Sequence, residues 1–178
     1  MENLFRCTIT GLATMLPFTT DESWASRYGE DIASIHLTDF EPVPSSFNNG
    51  ELAVRWENIR KLRRVVTGAL EIERAEKRIG SSLEAAPQVY ISDAILKSAL
   101  QGIEDFEDLC ITSSIEVLDG EGPADAFKLE DIAGVSVVPR MAEGKKCARS
   151  WRVSNEVGSD ADYPNLTPRD AQAMRELK

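Results

Sequence analysis

The sequence predicts a mainly α fold with a small α+β part: a helical bundle over residues 1–86, a small acidic α+β module over 87–143, and a polar tail over 144–178 that closes with a short helix. Three observations carry this expectation. From Glu51 to Ile79 the apolar residues Leu52, Trp56, Ile59, Leu62, Val66, Ala69 and Ile72 recur at steps of three and four, which places one stripe of a helix against a core. After Gly80-Ser81-Ser82 the texture changes to short β-prone runs. Near the C-terminus, Thr167-Pro168-Arg169-Asp170 combines a capping threonine, a proline suited to the first helical position and an early acidic side chain.

Taken in order, residues 4–15 carry Leu4, Phe5, Ile9, Leu12 and Met15 at roughly helical spacing, and Pro17 stops the helix. Thr19-Thr20-Asp21-Glu22 reads as a capping box opening a second helix with Trp24 and Tyr28 on one face. Residues 34–40 (SIHLTDF) read as extended, and the segment from Pro42 to Gly50 as a breaker-rich loop. The long helix then runs from Glu51 to about Ile79, seven or eight turns. At 100° per residue Arg60, Lys61 and Arg64 project away from its stripe, whereas Arg63 falls near the edge, where its stem lies along the core surface or its head serves a ligand. Strands are expected over 89–92, 109–118 and 135–139, with a short helix over 93–103 and a module boundary near Ala86-Pro87.

At 178 residues, 42% hydrophobic and 28% charged, the chain suits one ordinary domain or two small ones and is not disordered in bulk. The uncharged stretch from Cys7 to Thr20 is interrupted by Gly11 and Pro17 and falls short of the ~18 apolar residues of a membrane helix, so no membrane partner is expected. Met1-Glu2-Asn3 lacks the basic start of a secretory signal, which makes the cytoplasm the expected compartment. Three scattered cysteines, Cys7, Cys110 and Cys147, read as buried or spare thiols.

A net charge of -10 argues against a polyanion as partner, but the charge is segregated. Residues 55–78 hold eight basic side chains against four acidic ones, and Lys145, Lys146, Arg149 and Arg152 form a second basic group. Between them, residues 104–131 hold ten carboxylates and only Lys128. Such a pattern fits a polyanion-binding surface with a repelled back face; solvated helix faces are the alternative.

Chemistry-bearing motifs are few. The single histidine, His36, lies near Asp39 without a nucleophile beside it and reads as structural. Gly120-Glu121-Gly122 lacks the later glycine or lysine of a phosphate cradle, and the acidic pairs Glu104-Asp105 and Glu107-Asp108 read as solvated surface. A standalone enzyme is not indicated. Around Cys147 the run Lys145-Lys146-Cys147-Ala148-Arg149-Ser150-Trp151 has the shape of half a zinc knuckle. A structural zinc takes four ligands from two C-x-x-C pairs, yet here Ser150 stands in the second cysteine's place.

Several segments together resemble the anticodon-binding region of bacterial isoleucyl-tRNA synthetases. They are Leu16-Pro17-Phe18-Thr19 with Asp21-Glu22 and Trp24; Ser34-Ile35-His36-Leu37 ahead of the Trp56-bearing helix; Arg64 followed by Ala69-Leu70-Glu71; and Ile79-Gly80-Ser81-Ser82-Leu83-Glu84-Ala85. Ile111-Thr112-Ser113 and the Lys-Cys-x-Arg-x-Trp run from Lys146 to Trp151 extend the likeness into that family's zinc-binding tail, so it covers essentially the whole chain. Valyl and leucyl relatives share the helical part and remain an alternative.

The resemblance implies an anticodon-binding bundle followed by a zinc-ribbon-like tail, together the C-terminal segment of an ATP-dependent isoleucine-tRNA ligase that begins inside the helical domain. ATP and Mg would belong to the parent catalytic domain, since neither H-x-G-H nor K-M-S-K-S occurs here, and the segment itself should be inactive. Its implied partners are isoleucine tRNA and the parent's catalytic and editing domains, with no DNA. Arg149 and Trp151 are the implied base readers, Lys145, Lys146 and Arg152 the backbone holders beside them, and Arg60, Arg63 and Arg64 the corresponding cations of the long helix. For Trp151 the alternative is a core tryptophan packing where the metal would be. The second metal pair aligns with Thr167 and Asp170, so three of four ligand positions (Ser150, Thr167 and Asp170, beside Cys147) are replaced; zinc is expected to be lost, and Thr167, Pro168 and Asp170 to cap a helix instead. Two other readings stand beside this one: a module whose acidic 104–131 segment docks a basic protein, and a metal-binding module.

Overall fold

The computed structural model describes residues 1–177 and divides into two compact units, residues 1–50 and 51–178. The first unit contains α1 (Glu2–Leu12) and α2 (Pro17–Tyr28), followed by single 3-10 turns at Ile35–Leu37 and Ser45–Phe47. Its core is small: Ala13, Trp24 and Ile35 are buried, with Phe5, Ile9 and Tyr28 packed on them. The Trp24 indole N–H donates to the Ala33 carbonyl at 3.1 Å, which satisfies the one polar atom that its burial would otherwise strand.

Two expectations fail in this unit. Pro17 does not merely stop α1; it starts α2 from the first helical position, where its fixed φ suits the helix and its missing N–H is not needed. The proposed capping box is therefore inside the helix, and the Thr20 hydroxyl donates back to the Leu16 carbonyl at 2.7 Å. The 34–40 segment is not extended. Asp21 accepts from Ser34 Oγ at 2.6 Å and from the Ile35 N–H at 3.1 Å, and these bonds curl the chain into a turn.

In the second unit α3 (Gly50–Ala75) lies against a four-stranded sheet in the order β2-β1-β4-β3. The strands are β1 (Gln88–Ile91), β2 (Glu116–Asp119), β3 (Phe127–Leu129) and β4 (Ile132–Val138). β1 is parallel to β2, with Gln88 opposite Glu116, and antiparallel to β4, with Gln88 opposite Val138. A parallel pair needs a crossover, which α4 (Ala94–Ala99) and α5 (Phe106–Cys110) provide. Ile59, Leu62, Val65, Val66, Ala69 and Leu70 of α3 share one core with Val89, Ile91, Ile132, Val135 and Val137 of the sheet. Gly68 makes the close approach possible, because a Cβ there would lie 3.0 Å from the Phe127 ring.

This core corrects the expected division of the chain at residue 86. A helix with an apolar stripe must bury it, and the sheet of 87–143 is what α3 buries it against, so the two belong to one unit and the break falls after Gly50. The buried stripe also shifts: Val65 and Leu70 are in it, whereas Leu52, Trp56 and Ile72 are exposed. The expected 109–118 strand splits into α5 and β2, with Ile111 between them in a left-handed conformation (φ 58°) that no strand accepts. β3 was not foreseen.

The tail belongs to the same unit. β5 (Lys145–Lys146) and β6 (Val153–Ser154) pair antiparallel, and α6 (Pro168–Glu176) follows with Thr167 as its cap, accepting from the Asp170 N–H. Gly144 (φ 118°) is required at the hairpin's entry, since a Cβ would fall 2.2 Å from the Ser154 carbonyl carbon. Ser113 joins tail to sheet: its hydroxyl donates to the Leu83 carbonyl at 2.5 Å and accepts from the Val153 N–H at 2.7 Å.

Candidate nucleic-acid interface

Between β5 and β6 the chain makes a six-residue turn, 147–152. The Cys147 N–H donates to the Arg152 carbonyl at 2.8 Å and the Trp151 N–H to the Cys147 carbonyl at 3.0 Å, while the Ala148 N–H reaches Asn165 at 2.9 Å. Trp151 sits in the left-handed region (φ 62°), a costly conformation for a bulky residue that persists only where its surroundings enforce it. The residue is 62% exposed, with the Lys146 ammonium 5.5 Å from the ring centroid. The alternative of a core tryptophan is thereby overturned: Cys147, fully buried, and not the indole, sits at the centre of the tail.

What fills that centre is a carboxylate. Asp170 Oδ2 accepts from Ser150 Oγ at 2.6 Å, Thr167 Oγ1 at 2.9 Å and Cys147 Sγ at 3.0 Å, and Oδ1 lies 3.4 Å from Arg149 Nη1. Burial opposes ionisation of this group. The bonds from Ser150, Cys147 and Thr167, aided by the Arg149 charge, outweigh it and hold the carboxyl below its ordinary pKa. The four positions aligned with zinc ligands thus do converge in space, but their donor set does not fit the ion. Only one is a thiol, and at Zn–O of about 2.0 Å and Zn–S of about 2.3 Å the ligands of a tetrahedral zinc stand roughly 3.3–3.8 Å apart, wider than the 2.6–3.0 Å contacts to Asp170 Oδ2. No group of three or more His, Cys, Asp or Glu side chains among the described residues is placed to hold a metal.

Beside this centre opens a cleft of about 530 Å³ between α5, the 147–152 turn, β6 and α6, lined by Arg149, Arg152 and Arg169 together with Asp108, Glu156 and Asp170. Arg152 pairs with Asp108, and Arg169 Nη1 stands 3.7 Å from the same carboxylate. Arg63 of α3 reaches the next residue, donating from Nε to the Leu109 carbonyl at 2.7 Å. Through α5 the structure therefore brings Arg63 together with the tail cations. Arg64 goes elsewhere: it pairs with Asp131, in the β3–β4 turn, at 2.7 Å. Arg60, Lys145 and Lys146 are exposed.

Arg169 and Asp108 were missed by the sequence reading. Arg169 follows the Thr167-Pro168 helix start, and Asp108 is one of ten similar carboxylates, so only the fold singles them out. His36 contacts the Pro17 carbonyl at 3.1 Å, and no bond to Asp39 is formed. The Cys110 thiol, pushed up to about 12 by burial, is an inert core group.

No family model matches the chain. Curated proteins do match: it is 58% identical over 174 residues to the isoleucine–tRNA ligase of Agrobacterium fabrum, an alignment covering 98% of this chain and 18% of that protein. The chain is a homologue of part of isoleucine–tRNA ligase. It is also 53% identical over its whole length to the enzyme of Bartonella henselae, covering 18% of it, and 54% identical over 169 residues to that of Brucella abortus, covering 95% of this chain and 17% of the relative. The chain thus spans less than a fifth of the length of the relatives it matches. No helix among the described residues is long and apolar enough to cross a membrane.

Proposed function

We propose that this chain is the tRNA-anticodon-binding, C-terminal segment of an isoleucine–tRNA ligase, the enzyme that joins isoleucine to its tRNA with ATP, and that the segment itself catalyses nothing. The observation that carries the reading is the display of Trp151: an exposed indole on a turn pinned at both ends, with Lys146 over its ring and Arg149 two residues away. Bases of an anticodon loop are unpaired, so they can stack on an indole, and base–aromatic stacking contributes ~1–3 kcal/mol. Lys145 and Lys146 then neutralise flanking phosphates, and Arg152 and Arg169, steered by Asp108, face the cleft beside the stacked base. The same reading assigns residues 1–50 to the helical anticodon-binding region and the tail to a zinc-ribbon-like fold.

The test is binding of isoleucine tRNA to the full-length ligase carrying Trp151→Ala. Loss of affinity, with binding that weakens as salt rises, supports the proposal; unchanged affinity together with indifference to salt rejects it. Docking of a basic protein on the acidic segment is the weaker reading. Asp108, Glu116, Asp119 and Asp131 are already engaged by Arg152, Gln88, Lys97 and Arg64 of the same chain.

A further inference from the structure

The turn that displays Trp151 is only six residues long, contains a bulky residue at positive φ, and is flanked by strands of two residues each. Main-chain pairing this short cannot hold such a conformation alone. Something buried must fix it. The Asp170 carboxylate is in contact with both the turn and the start of α6: it touches Cys147, Ser150 and Thr167 through one oxygen and faces Arg149 with the other.

A carboxylate carries no proton, so the roles in this cluster are settled: both hydroxyls and the thiol donate. The Cys147 sulfur is thereby engaged as a donor, and Asp170 Oδ2, which already accepts three bonds, has no lone pair left for a metal. Thr167 acts twice, donating to the Asp170 carboxylate while accepting from the Asp170 N–H at 3.3 Å, so the cap of α6 and the centre of the turn are one construction. Charge-assisted bonds of this kind are stronger than neutral ones, and Cys147, Thr167 and Asp170 are buried while Ser150 and Arg149 lie at the edge of the cleft.

We propose that Asp170 is a positioning residue: its carboxylate does, without a metal, what a four-ligand zinc would do, gathering Cys147, Ser150 and Thr167 so that the 147–152 turn presents Arg149 and Trp151. The assignment rests on the tRNA reading only for what the turn presents, and its test uses no RNA. Elemental analysis and thermal melting of the full-length ligase come first. The ligase should carry no tail zinc, and its melting should be indifferent to a strong chelator; if metal in the wild-type enzyme is lost in a C147S variant, the proposal fails. Hydrogen exchange then reads the positioning. In D170N the amides of Cys147 and Trp151 should exchange at least about tenfold faster, while those in the middle of α3 keep their wild-type protection. Protection of the turn left intact in D170N overturns the assignment. Because D170N removes charge with little change in shape, a third variant guards against general misfolding: S150C/T167C/D170C, which with Cys147 completes four thiols at the converging positions, should take up about one zinc per chain and recover turn protection on adding the metal. Failure of the triple variant to bind zinc while it remains folded contradicts the convergence on which the proposal stands.

Discussion

The two basic segments of the second unit are nearly matched in sequence and unlike in structure. On α3, Arg60, Arg63 and Arg64 are all exposed but diverge: Arg63 donates to the Leu109 carbonyl of α5, Arg64 pairs with Asp131 of the β3–β4 turn, and Arg60 joins neither. In the tail, Lys145, Lys146, Arg149, Trp151 and Arg152 lie on one hairpin whose turn is held by main-chain bonds; Arg149 and Arg152 line the cleft and Lys146 lies over the exposed Trp151 ring. Counting positive charges treats the two alike. Both spend part of that charge inside the fold, Arg149 on Asp170 and Arg152 on Asp108 as Arg64 on Asp131; what separates them is whether the backbone is fixed well enough to aim what remains.

That difference can be broken from the inside. Asp170→Ala leaves buried Cys147 and Thr167 and half-buried Ser150 without their acceptor, and at roughly 1–3 kcal/mol for each buried stranded group the expected loss is about 2 kcal/mol or more, seen as a lower urea midpoint. Trp151→Ala should leave that midpoint nearly unchanged and cut tRNA affinity by ~1–3 kcal/mol, measured by filter binding at fixed salt. Lys146→Ala removes a phosphate contact and the cation over the ring. It should cost about 0.5–1 kcal/mol in affinity and reduce the salt slope by about one.

On α3 the effects should be smaller. Arg64→Ala breaks an exposed pair with Asp131, so a stability change within about 1 kcal/mol and a near-normal tRNA affinity are expected. The least effect should come from acid. The Arg175 guanidinium holds the Asp160 carboxyl below its ordinary pKa, so the bond tying α6 to the 158–163 loop contributes fully above the unfolded value near 4 and is lost as the pH falls through the lowered folded one. Chemical shifts of α6 should therefore hold from neutral pH down to about 4 and move only below it.

Much of this architecture was legible because the signals were local. The α3 periodicity, the Thr167-Pro168 start of α6 and the change to β-prone runs after Gly80 each concern neighbours in sequence. The failures were tertiary. No residue near Asp21 announces that it will draw Ser34 and Ile35 into a turn, and nothing in the 109–118 run marks Ile111 as left-handed. The unit boundary was misplaced for the same reason, since the partner of an apolar stripe is not written in the stripe. In the site, Arg149 and Trp151 entered only through the resemblance of the Lys-Cys-x-Arg-x-Trp run to a known family, whereas the bonds that Asp170, 23 residues from Cys147, makes to the turn show only when the fold brings it there.

The central claim is that the pinned turn, not the cationic helix, is what meets the RNA. The most direct measurement is the affinity of the full-length ligase for isoleucine tRNA in two single variants, Trp151→Ala and Arg64→Ala, under one salt condition. A loss of about tenfold or more in the first with little change in the second is the expected result. Equal losses, or a loss confined to Arg64→Ala, would contradict it.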